Sequence, residues 1–184
     1  FISRSPLPED KNENWITSAE SKKLVHQWRA EESAILIGTN TAMHDDPELT
    51  TRLVNGKDPI RIVIDRELKI PFDAKVFAER GSCIVYAEKH VPDKKNIRYR
   101  QLSFDEELIN SLLSDLYTLG IQSVIVEGGT QTLNSFIQKN EWDEARVFIG
   151  DKYFGNGIKA PLLDLSKASL THSGGDELRI LFNA

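Results

Sequence analysis

Short apolar runs that alternate with helical segments are the feature that most limits what this chain can fold into. Residues 33–38, 59–65, 82–87 and 122–127 read SAILIG, PIRIVID, SCIVYA and QSVIVE. Several of these runs are apolar throughout rather than at every second position, which is typical of strands that are covered on both faces. The sequence therefore predicts an α/β fold with a mainly parallel sheet flanked by helices.

The first helix is predicted from a capping pattern near the amino end. Thr17 lies three residues before Glu20, the spacing of a capping box, and the helix is expected to end near residue 29 or 30. Leu24, Val25 and Trp28 recur at helical spacing and form its predicted apolar face.

Two further helices are predicted between the later strands. Residues 103–106, SFDE, form a second capping box, and Gly120 is placed to end the helix that follows. The apolar residues of that helix are Leu108, Leu112, Leu116 and Leu119. Another helix is expected to begin at Thr130, which could cap it, with apolar residues again at helical spacing.

Two more apolar runs close the chain, at residues 144–150 and 177–183. No helical period separates them, so we predict an antiparallel pair of strands at one edge of the sheet. The glycine-rich segment 151–165, which contains Tyr153, is expected to lie over a site or at an interface between subunits.

Length and charge exclude several classes of protein. The chain of 184 residues suits a single domain, and no apolar stretch reaches the 18 residues or so that span a membrane. A formal net charge of −5 argues against broad nucleic-acid binding, although a local pair of arginines can still bind a small phosphorylated molecule. Cys83 is alone and cannot form an internal disulfide, so a cytoplasmic location is expected.

One strand ends in an acid and a bare glycine turn, in the stretch VIVEGGT. Ligands of open α/β sheets bind at the carboxyl ends of the strands, and the free N–H groups of a following helix attract an anion such as a diphosphate. Gly128 and Gly129 permit close approach of a ligand to the backbone. Glu127 could hydrogen-bond a ligand or accept from backbone amides, and a turn of this kind also occurs without a ligand.

A second polar segment, HDDPELTTR, follows the first predicted strand. Its aspartates Asp45 and Asp46 precede a proline, and such residues often serve only to start a turn. Arg29 and Arg52 could each bind a phosphate through two hydrogen bonds, although either could equally be a solvated surface residue.

Several kinds of catalytic site lack the residues that they need. The four histidines, His26, His44, His90 and His172, show no metal-binding spacing. One cysteine excludes a zinc deaminase site from this chain, and the Gly-x-Ser-x-Gly turn of many hydrolases is absent.

Three ordered segments together resemble a known family. They are NWITSAESKKLVHQWRAEESAILIGTNTAMHDDPELTTR, PIRIVIDRELKIP and VEGGTQTLNSF. In this order and spacing they resemble the reductase domain of bacterial riboflavin biosynthesis, which is often fused behind a zinc deaminase. The resemblance implies a fold similar to dihydrofolate reductase. It also implies NADPH-dependent reduction of the ribosyl group of 5-amino-6-(5-phosphoribosylamino)uracil to ribityl, by hydride delivery to the sugar C1.

The resemblance also implies roles for individual residues. Arg29 and Arg52 would bind the phosphate or sugar of the phosphorylated pyrimidine, and Glu127 would hydrogen-bond it near the reacting end. No proton donor and no metal ligand is implied. The residues that would contact the cofactor are Trp15, Thr41, Asp45, Leu49, Gly129, Thr130, Gln131, Thr132, Leu133, Asn134 and Ser135.

Two departures from the family pattern stand out. The strand with a lysine and an Asp-Gly that usually opens this domain is not present before Phe1, nor is a deaminase domain, so we expect residues 1–184 to be one reductase domain lacking both. Glu13 occupies the position of the family's substrate-binding serine, so that role is not transferred. The family resemblance also implies a homodimer.

Two other functions remain open at this stage. A reductase of the same fold that acts on a pterin or folate would have a similar cofactor side. A non-catalytic binding module is the other alternative, because a sheet that lacks its first strand exposes an edge that can pair with another chain.

Overall fold

The computed structural model describes residues 16–151 and 158–183. Its helices are α1 (Ala19–Glu31), α2 (Thr39–Asp45), α3 (Leu108–Thr118) and α4 (Thr130–Lys139), with a short 3₁₀ turn at Lys75–Phe77. Its strands are β1 (Ala34–Gly38), β2 (Ile60–Ile64), β3 (Cys83–Ala87), β4 (Ile97–Gln101), β5 (Val124–Gly128), β6 (Glu144–Ile149), β7 (Ser169–Ser173) and β8 (Asp176–Phe182). None of the helices in these ranges is long and apolar enough to cross a bilayer.

The first five strands form one parallel sheet in the order β4-β3-β2-β1-β5. Strand β1 lies between β2 and β5, with Leu36 opposite Ile62 on one side and Val126 on the other. The four strands predicted before residue 130 are confirmed, with ends that differ by one or two residues. The predicted fold class is confirmed as well.

Both faces of this sheet are buried at its centre, which explains why β1 and β3 are apolar at every position and β2 at all but Arg61. Ile35 and Val63 belong to the core on one face, and Leu36 and Ile62 belong to the core on the other. Helices α3 and α4 cover the second face through Leu112, Leu116 and Phe136. The first face is covered by α2 and by the long connection from β2 to β3, through Ala42, Ile70, Val76 and Phe77.

Strands β4 and β7 and helix α2 were not predicted, because their sequences lack an apolar pattern. Strand β4 reads IRYRQ, with Ile97 buried and an ion pair between Arg100 and Asp115 on α3. Strand β7 reads SLTHS and is mostly exposed. Helix α2 has only seven residues, too few for a helical period to show.

Both predicted capping boxes are wrong, although the helices exist. Ser18 rather than Thr17 caps α1, because its hydroxyl accepts a hydrogen bond from the Ser21 amide at 3.2 Å. Helix α3 begins at Leu108, beyond the box at 103–106. The turn before it is built on Asp105, whose side chain accepts from the Glu107 amide at 2.9 Å.

The predicted end of α3 is confirmed. Gly120 has a φ of +76°, a conformation that glycine adopts at little cost. The Gly120 amide donates to Tyr117 and the Ile121 amide to Leu116, which satisfies the last carbonyls of the helix in a Schellman motif.

The carboxyl-terminal strands pair antiparallel, as predicted, but in a sheet of their own. Strand β6 pairs with β8 from Glu144 opposite Phe182 to Ile149 opposite Glu177. Strand β7 pairs with the other side of β8, so the order is β6-β8-β7. Within the described ranges, no strand pairing joins this sheet to the parallel one.

Helix α1 packs against the antiparallel sheet. The Trp28 ring stacks on Phe148 of β6 with ring centroids 5.5 Å apart. At the start of the helix, the Ser18 amide and the Ser21 hydroxyl donate to the Asp176 carboxylate at 2.7 and 2.5 Å. Burial opposes ionisation of Asp176, but these hydrogen bonds outweigh it and lower the pKa of its carboxyl group. The predicted apolar face is only half-buried, whereas Ser21 and His26 are the buried residues of α1.

A close backbone contact fixes the segment before α1 against the end of β6, and it yields a test. A Cβ placed on Gly150 would lie 2.4 Å from the carbonyl oxygen of Ile16. We expect Gly150→Ala to lower the free energy of unfolding by about 1–3 kcal/mol, because the backbone must move to relieve the clash. Gly175→Ala is the matched control, since a Cβ there would meet nothing within 4 Å. Equal melting temperatures for the two variants would contradict this packing.

Candidate active site

Strands β1 and β5 lie side by side, and the connections that follow them contain most of the predicted site residues. After a register shift beyond Leu36, Ile37 of β1 lies opposite Gly128 of β5. Helix α2 follows β1 directly, and α4 follows β5 after one glycine. The carboxyl ends of the two parallel strands therefore bring the segment 39–52 and the glycine turn to the same edge of the sheet.

The glycine turn combines a positive φ with a cis peptide bond. Gly128 is buried with a φ of +125°, and its peptide bond to Gly129 is cis. Gly129 is the N-cap of α4 and offers no side chain to its amides. Thr130 does not cap the helix as predicted; its hydroxyl instead donates to the Lys159 carbonyl at 2.9 Å. The first turn of α4 contains no acidic residue, so its amides remain suited to an anion.

A third glycine, Gly38, permits close packing between β1 and α4. A Cβ on Gly38 would lie 2.5 Å from the Thr132 hydroxyl oxygen. The absence of a side chain at position 38 therefore lets the first turn of α4 approach the end of β1. Phe136, buried in the core, fixes the same helix from its other end.

The remaining residues predicted on α4 differ in exposure. Gln131 is exposed, whereas Thr132, Leu133, Asn134 and Ser135 are half-buried. The Ser135 hydroxyl donates to the Gln131 carbonyl at 3.1 Å, one turn back along the helix. As in any α-helix, the amides of the first turn have no acceptor within the helix, so they can bind a ligand.

The three predicted cofactor residues after β1 differ in their burial. Thr41 is 8% exposed, and its buried hydroxyl oxygen has no hydrogen-bond partner within the described part of the chain. Asp45 is exposed at the end of α2. Leu49 is 2% exposed and packs in the core, with a φ of +55°, so only its backbone is available to a ligand.

Glu127 and Arg29, both predicted to bind substrate, form an ion pair with each other. Arg29 Nε donates to one carboxylate oxygen of Glu127 at 2.7 Å, and Nη2 donates to the other at 2.6 Å. The side chains are 12% and 22% exposed, respectively. Arg29 Nη1 also donates to the Thr50 carbonyl at 3.2 Å. The acid at the end of an apolar strand is therefore compensated by an arginine rather than by backbone amides.

Arg52 is far less constrained. Its side chain is 44% exposed and forms a solvent-exposed ion pair with Glu48, in which Nη1 lies 3.6 Å from a carboxylate oxygen. Its hydrogen bond to the Thr50 hydroxyl is long, at 3.5 Å. The loop beneath it is fixed by Asp58, which accepts from both the amide and the hydroxyl of Thr51 at 2.9 Å.

His26 was not predicted as part of the site, yet it lies among the same groups. It is 2% exposed, its Nδ1 has no partner within the described part of the chain, and its ring hydrogen-bonds the Thr50 backbone. Burial, with the nearby cations Arg29, Arg52 and Lys22, lowers the pKa of His26 to about 4. The only sequence signal was its position one turn before Arg29 on α1.

Comparison with known proteins identifies the family. Residues 8–173 match the RibD C-terminal domain. The chain belongs to this family. The riboflavin biosynthesis protein RibD of Aquifex aeolicus is 38% identical over 149 residues, which cover 78% of this chain and 42% of that protein. The resemblance seen in the three ordered motifs is thereby confirmed.

Two further comparisons extend this result. A 2,5-diamino-6-ribosylamino-4(3H)-pyrimidinone 5′-phosphate reductase of Archaeoglobus fulgidus is 29% identical and is covered over 74% of its length. A Thermotoga maritima deaminase/5-amino-6-(5-phosphoribosylamino)uracil reductase superposes with a TM-score of 0.78 at 30% identity, over 93% of this chain and 50% of that structure. This chain thus spans about half of the two-function proteins that it resembles.

Three residues named from the sequence lie outside the described ranges. They are Trp15, Glu13 and Tyr153. The expected cofactor contact of Trp15 and the expected interface role of Tyr153 therefore stay predictions.

The buried His26 makes stability depend on pH. Its folded-state pKa of about 4 lies below the ordinary value of 6.5, so between these values the unfolded chain binds a proton that the folded chain does not. Stability is thus retained above pH 6.5 and lost as the pH falls. From pH 7 to 5 we expect this RibD-family domain to lose about 2 kcal/mol of unfolding free energy through His26, measured by urea denaturation.

The matched variant is His26→Gln, which keeps a polar side chain but cannot be protonated. Its loss of stability between pH 7 and 5 should be smaller by the same amount, while the two proteins should respond alike between pH 8 and 7. An undiminished loss in the variant would assign the pH dependence to other groups.

Proposed function

We propose that this chain is an NADPH-dependent reductase of riboflavin biosynthesis. Its substrate is 5-amino-6-(5-phosphoribosylamino)uracil, whose ribosyl group becomes ribityl. Family membership supports the reaction, and the ion-paired Glu127 beside the open amides of α4 is the observation in this chain that best supports the site. One carboxylate and one anion-binding turn lie next to each other at the carboxyl end of β5, where a ligand of an open α/β sheet is expected.

The described residues fit a dinucleotide cofactor. The glycine turn has no side chains that would hold a diphosphate away from the backbone, and the first turn of α4 offers amides and contains no acidic residue. The buried hydroxyl of Thr41, which has no partner among residues 16–151 and 158–183, is a second polar group that a bound molecule could satisfy. When bound, the reduced nicotinamide supplies the hydride.

The protein supplies orientation rather than acid–base chemistry. Glu127 keeps further lone pairs on both oxygens, which can accept from the hydroxyl or N–H groups of the substrate. Arg52 offers an accessible guanidinium for the phosphate. Holding the sugar C1 and the cofactor in one geometry can supply a large part of the rate enhancement.

A further strand is proposed to complete the parallel sheet. Within the described ranges β5 pairs only with β1, and its Val124, Ile125 and Val126 are half-buried, whereas β1 and β3 are buried throughout. An added strand beside β5 would bury these side chains and satisfy its free backbone edge. This supports the expectation of an upstream strand, with the deaminase domain beyond it.

The antiparallel sheet offers a surface for a homodimer, which we propose as the assembly. Val147 and Leu170 both lie opposite Arg179, so they share the face of the sheet that points away from α1. Ile149 is on that face as well, and it and Leu170 are 40% and 56% exposed. Apolar side chains of this size favour burial against a second copy.

Cofactor binding tests the proposal directly. NADPH that binds only the folded protein stabilises it by mass action and should raise the melting temperature. At a hundred times its dissociation constant, the free energy of unfolding should increase by about 2.7 kcal/mol. Steady-state assays with the aminouracil phosphate, the diaminopyrimidinone phosphate and dihydrofolate then decide the substrate. We expect turnover to be fastest with the aminouracil. Dihydrofolate as the preferred substrate would instead support a folate reductase, and no shift with NADPH would contradict a reductase altogether.

The strand proposal has its own test. A version with an additional amino-terminal strand of the family pattern should melt at a higher temperature and oxidise NADPH faster than residues 1–184 alone. Both changes follow from closing the edge of β5 beside the site. If neither version turns over any of the three substrates, the non-catalytic binding module gains support.

A further inference from the structure

We infer that Lys159 binds the diphosphate of the cofactor, a role that the sequence did not indicate. The inference rests on the proposed function and adds a cation to its dinucleotide site. It follows from a contact between two segments that are distant in sequence, the start of α4 and the connection from β6 to β7.

A hydrogen bond joins this connection to the start of α4. The Thr130 hydroxyl donates to the Lys159 carbonyl at 2.9 Å. Thr130 is the first residue of α4 and Gly129 is its N-cap, so the contact lies at the turn whose amides suit an anion. Residue 159 is therefore held next to the proposed diphosphate site by its own backbone.

The length of a lysine side chain suits this placement. Its ammonium lies about 6 Å from the Cα when the side chain is extended, and one helical turn rises by about 5.4 Å. From a backbone fixed at Thr130, the ammonium of Lys159 can reach the phosphates of a molecule bound at the first turn of α4.

No ion pair has to be broken for Lys159 to bind an anion. Its side chain is exposed, and it has no carboxylate partner among residues 16–151 and 158–183. An exposed lysine without a counter-ion is thus available beside the glycine turn.

The helices around the turn provide no cation at this edge of the sheet. Helix α2 reads TNTAMHD and α4 begins TQTLNSF, so neither places a lysine or an arginine there. A diphosphate carries a negative charge on each phosphate, whereas a helix N-terminus offers the equivalent of roughly half a positive charge. Lysine binds phosphates as a point charge and supplies the compensation that the turn itself lacks.

The same placement favours the diphosphate over the additional phosphate that distinguishes NADPH from NADH. That phosphate is on the adenosine ribose, beyond the diphosphate, whereas Gly129 and Thr130 belong to the turn proposed for the diphosphate itself. A lysine held at this turn contacts a group that both cofactors share. It therefore raises the affinity for the dinucleotide without choosing between NADPH and NADH.

The test measures cofactor binding directly, by titration calorimetry of the protein with NADPH and with NADH. The variants are Lys159→Gln, Lys159→Glu, Lys159→Arg, Thr130→Val and the double variant Thr130→Val/Lys159→Gln. Lys167→Gln is the matched control, because it removes the same charge from an exposed lysine in the turn before β7. Melting temperatures without cofactor report whether each variant folds.

Removal of the charge should weaken the binding of both cofactors equally. Lys159→Gln should raise both dissociation constants by about 10-fold, the loss expected for one charge-assisted contact, and Lys159→Glu should raise them further because it repels the phosphates. Lys159→Arg and Lys167→Gln should leave both constants within about twofold of the unaltered protein. In steady-state assays, Lys159→Gln should raise KM for the nucleotide and leave kcat and KM for the aminouracil phosphate unchanged.

The double variant tests whether Thr130 acts through residue 159. Thr130→Val removes the hydrogen bond that fixes this residue, so it should weaken cofactor binding by less than Lys159→Gln does. The double variant should then bind no more weakly than Lys159→Gln alone. An additive loss would show that the two residues act separately and would overturn the anchoring by Thr130.

Unchanged affinity in Lys159→Gln would overturn the inference, because the ammonium would then not contact the cofactor. A defect confined to NADPH would place it on the adenosine ribose phosphate instead, and an equal effect of Lys167→Gln would assign the loss to net charge. Failure of the unaltered protein to bind either cofactor would instead reject the proposed function, whatever the variants show.

Discussion

The ion pair between Arg29 and Glu127 connects parts of the molecule that are far apart in sequence. It joins α1, which packs on the antiparallel sheet, to β5 at the edge of the parallel sheet. Through the Thr50 carbonyl it also reaches the loop that follows α2. Since strand pairing does not join the two sheets within the described ranges, contacts of this kind and the packing of α1 set their relative placement. The geometry of the candidate site depends on that placement.

The fold was largely predictable because its central strands have an unusual requirement. A strand buried on both faces favours apolar residues at every position, and AILIG and CIVYA show this pattern, whereas β2 departs from it only at Arg61, which hydrogen-bonds backbone carbonyls. Strand β4 escaped prediction because Arg98 and Arg100 interrupt its pattern at the sheet edge. Strand β7 was not predicted because its residues are mostly exposed, so its sequence shows no pattern of apolar residues.

The site was predictable in its parts and less so in its connections. The glycine turn and the acid before it were visible from residue type, because their backbone and charge have local consequences. That Arg29 would bind Glu127, 98 residues away, could not be predicted, because no local rule relates two such positions. The burial of the Thr41 hydroxyl and of His26 likewise depends on how distant segments pack. Family membership names the reaction of relatives, whereas these contacts belong to this chain.

The hydrogen bond from the Ser18 amide to Asp176 joins residues 158 positions apart, near opposite ends of the described chain. During synthesis α1 leaves the ribosome long before β8 has been made. The hydrogen bond from the Ser18 amide to Asp176 can therefore form only late. The closure of so long a loop is entropically costly and slow. The final placement of α1 consequently waits until β8 has been synthesised, whereas the parallel sheet is able to form before that.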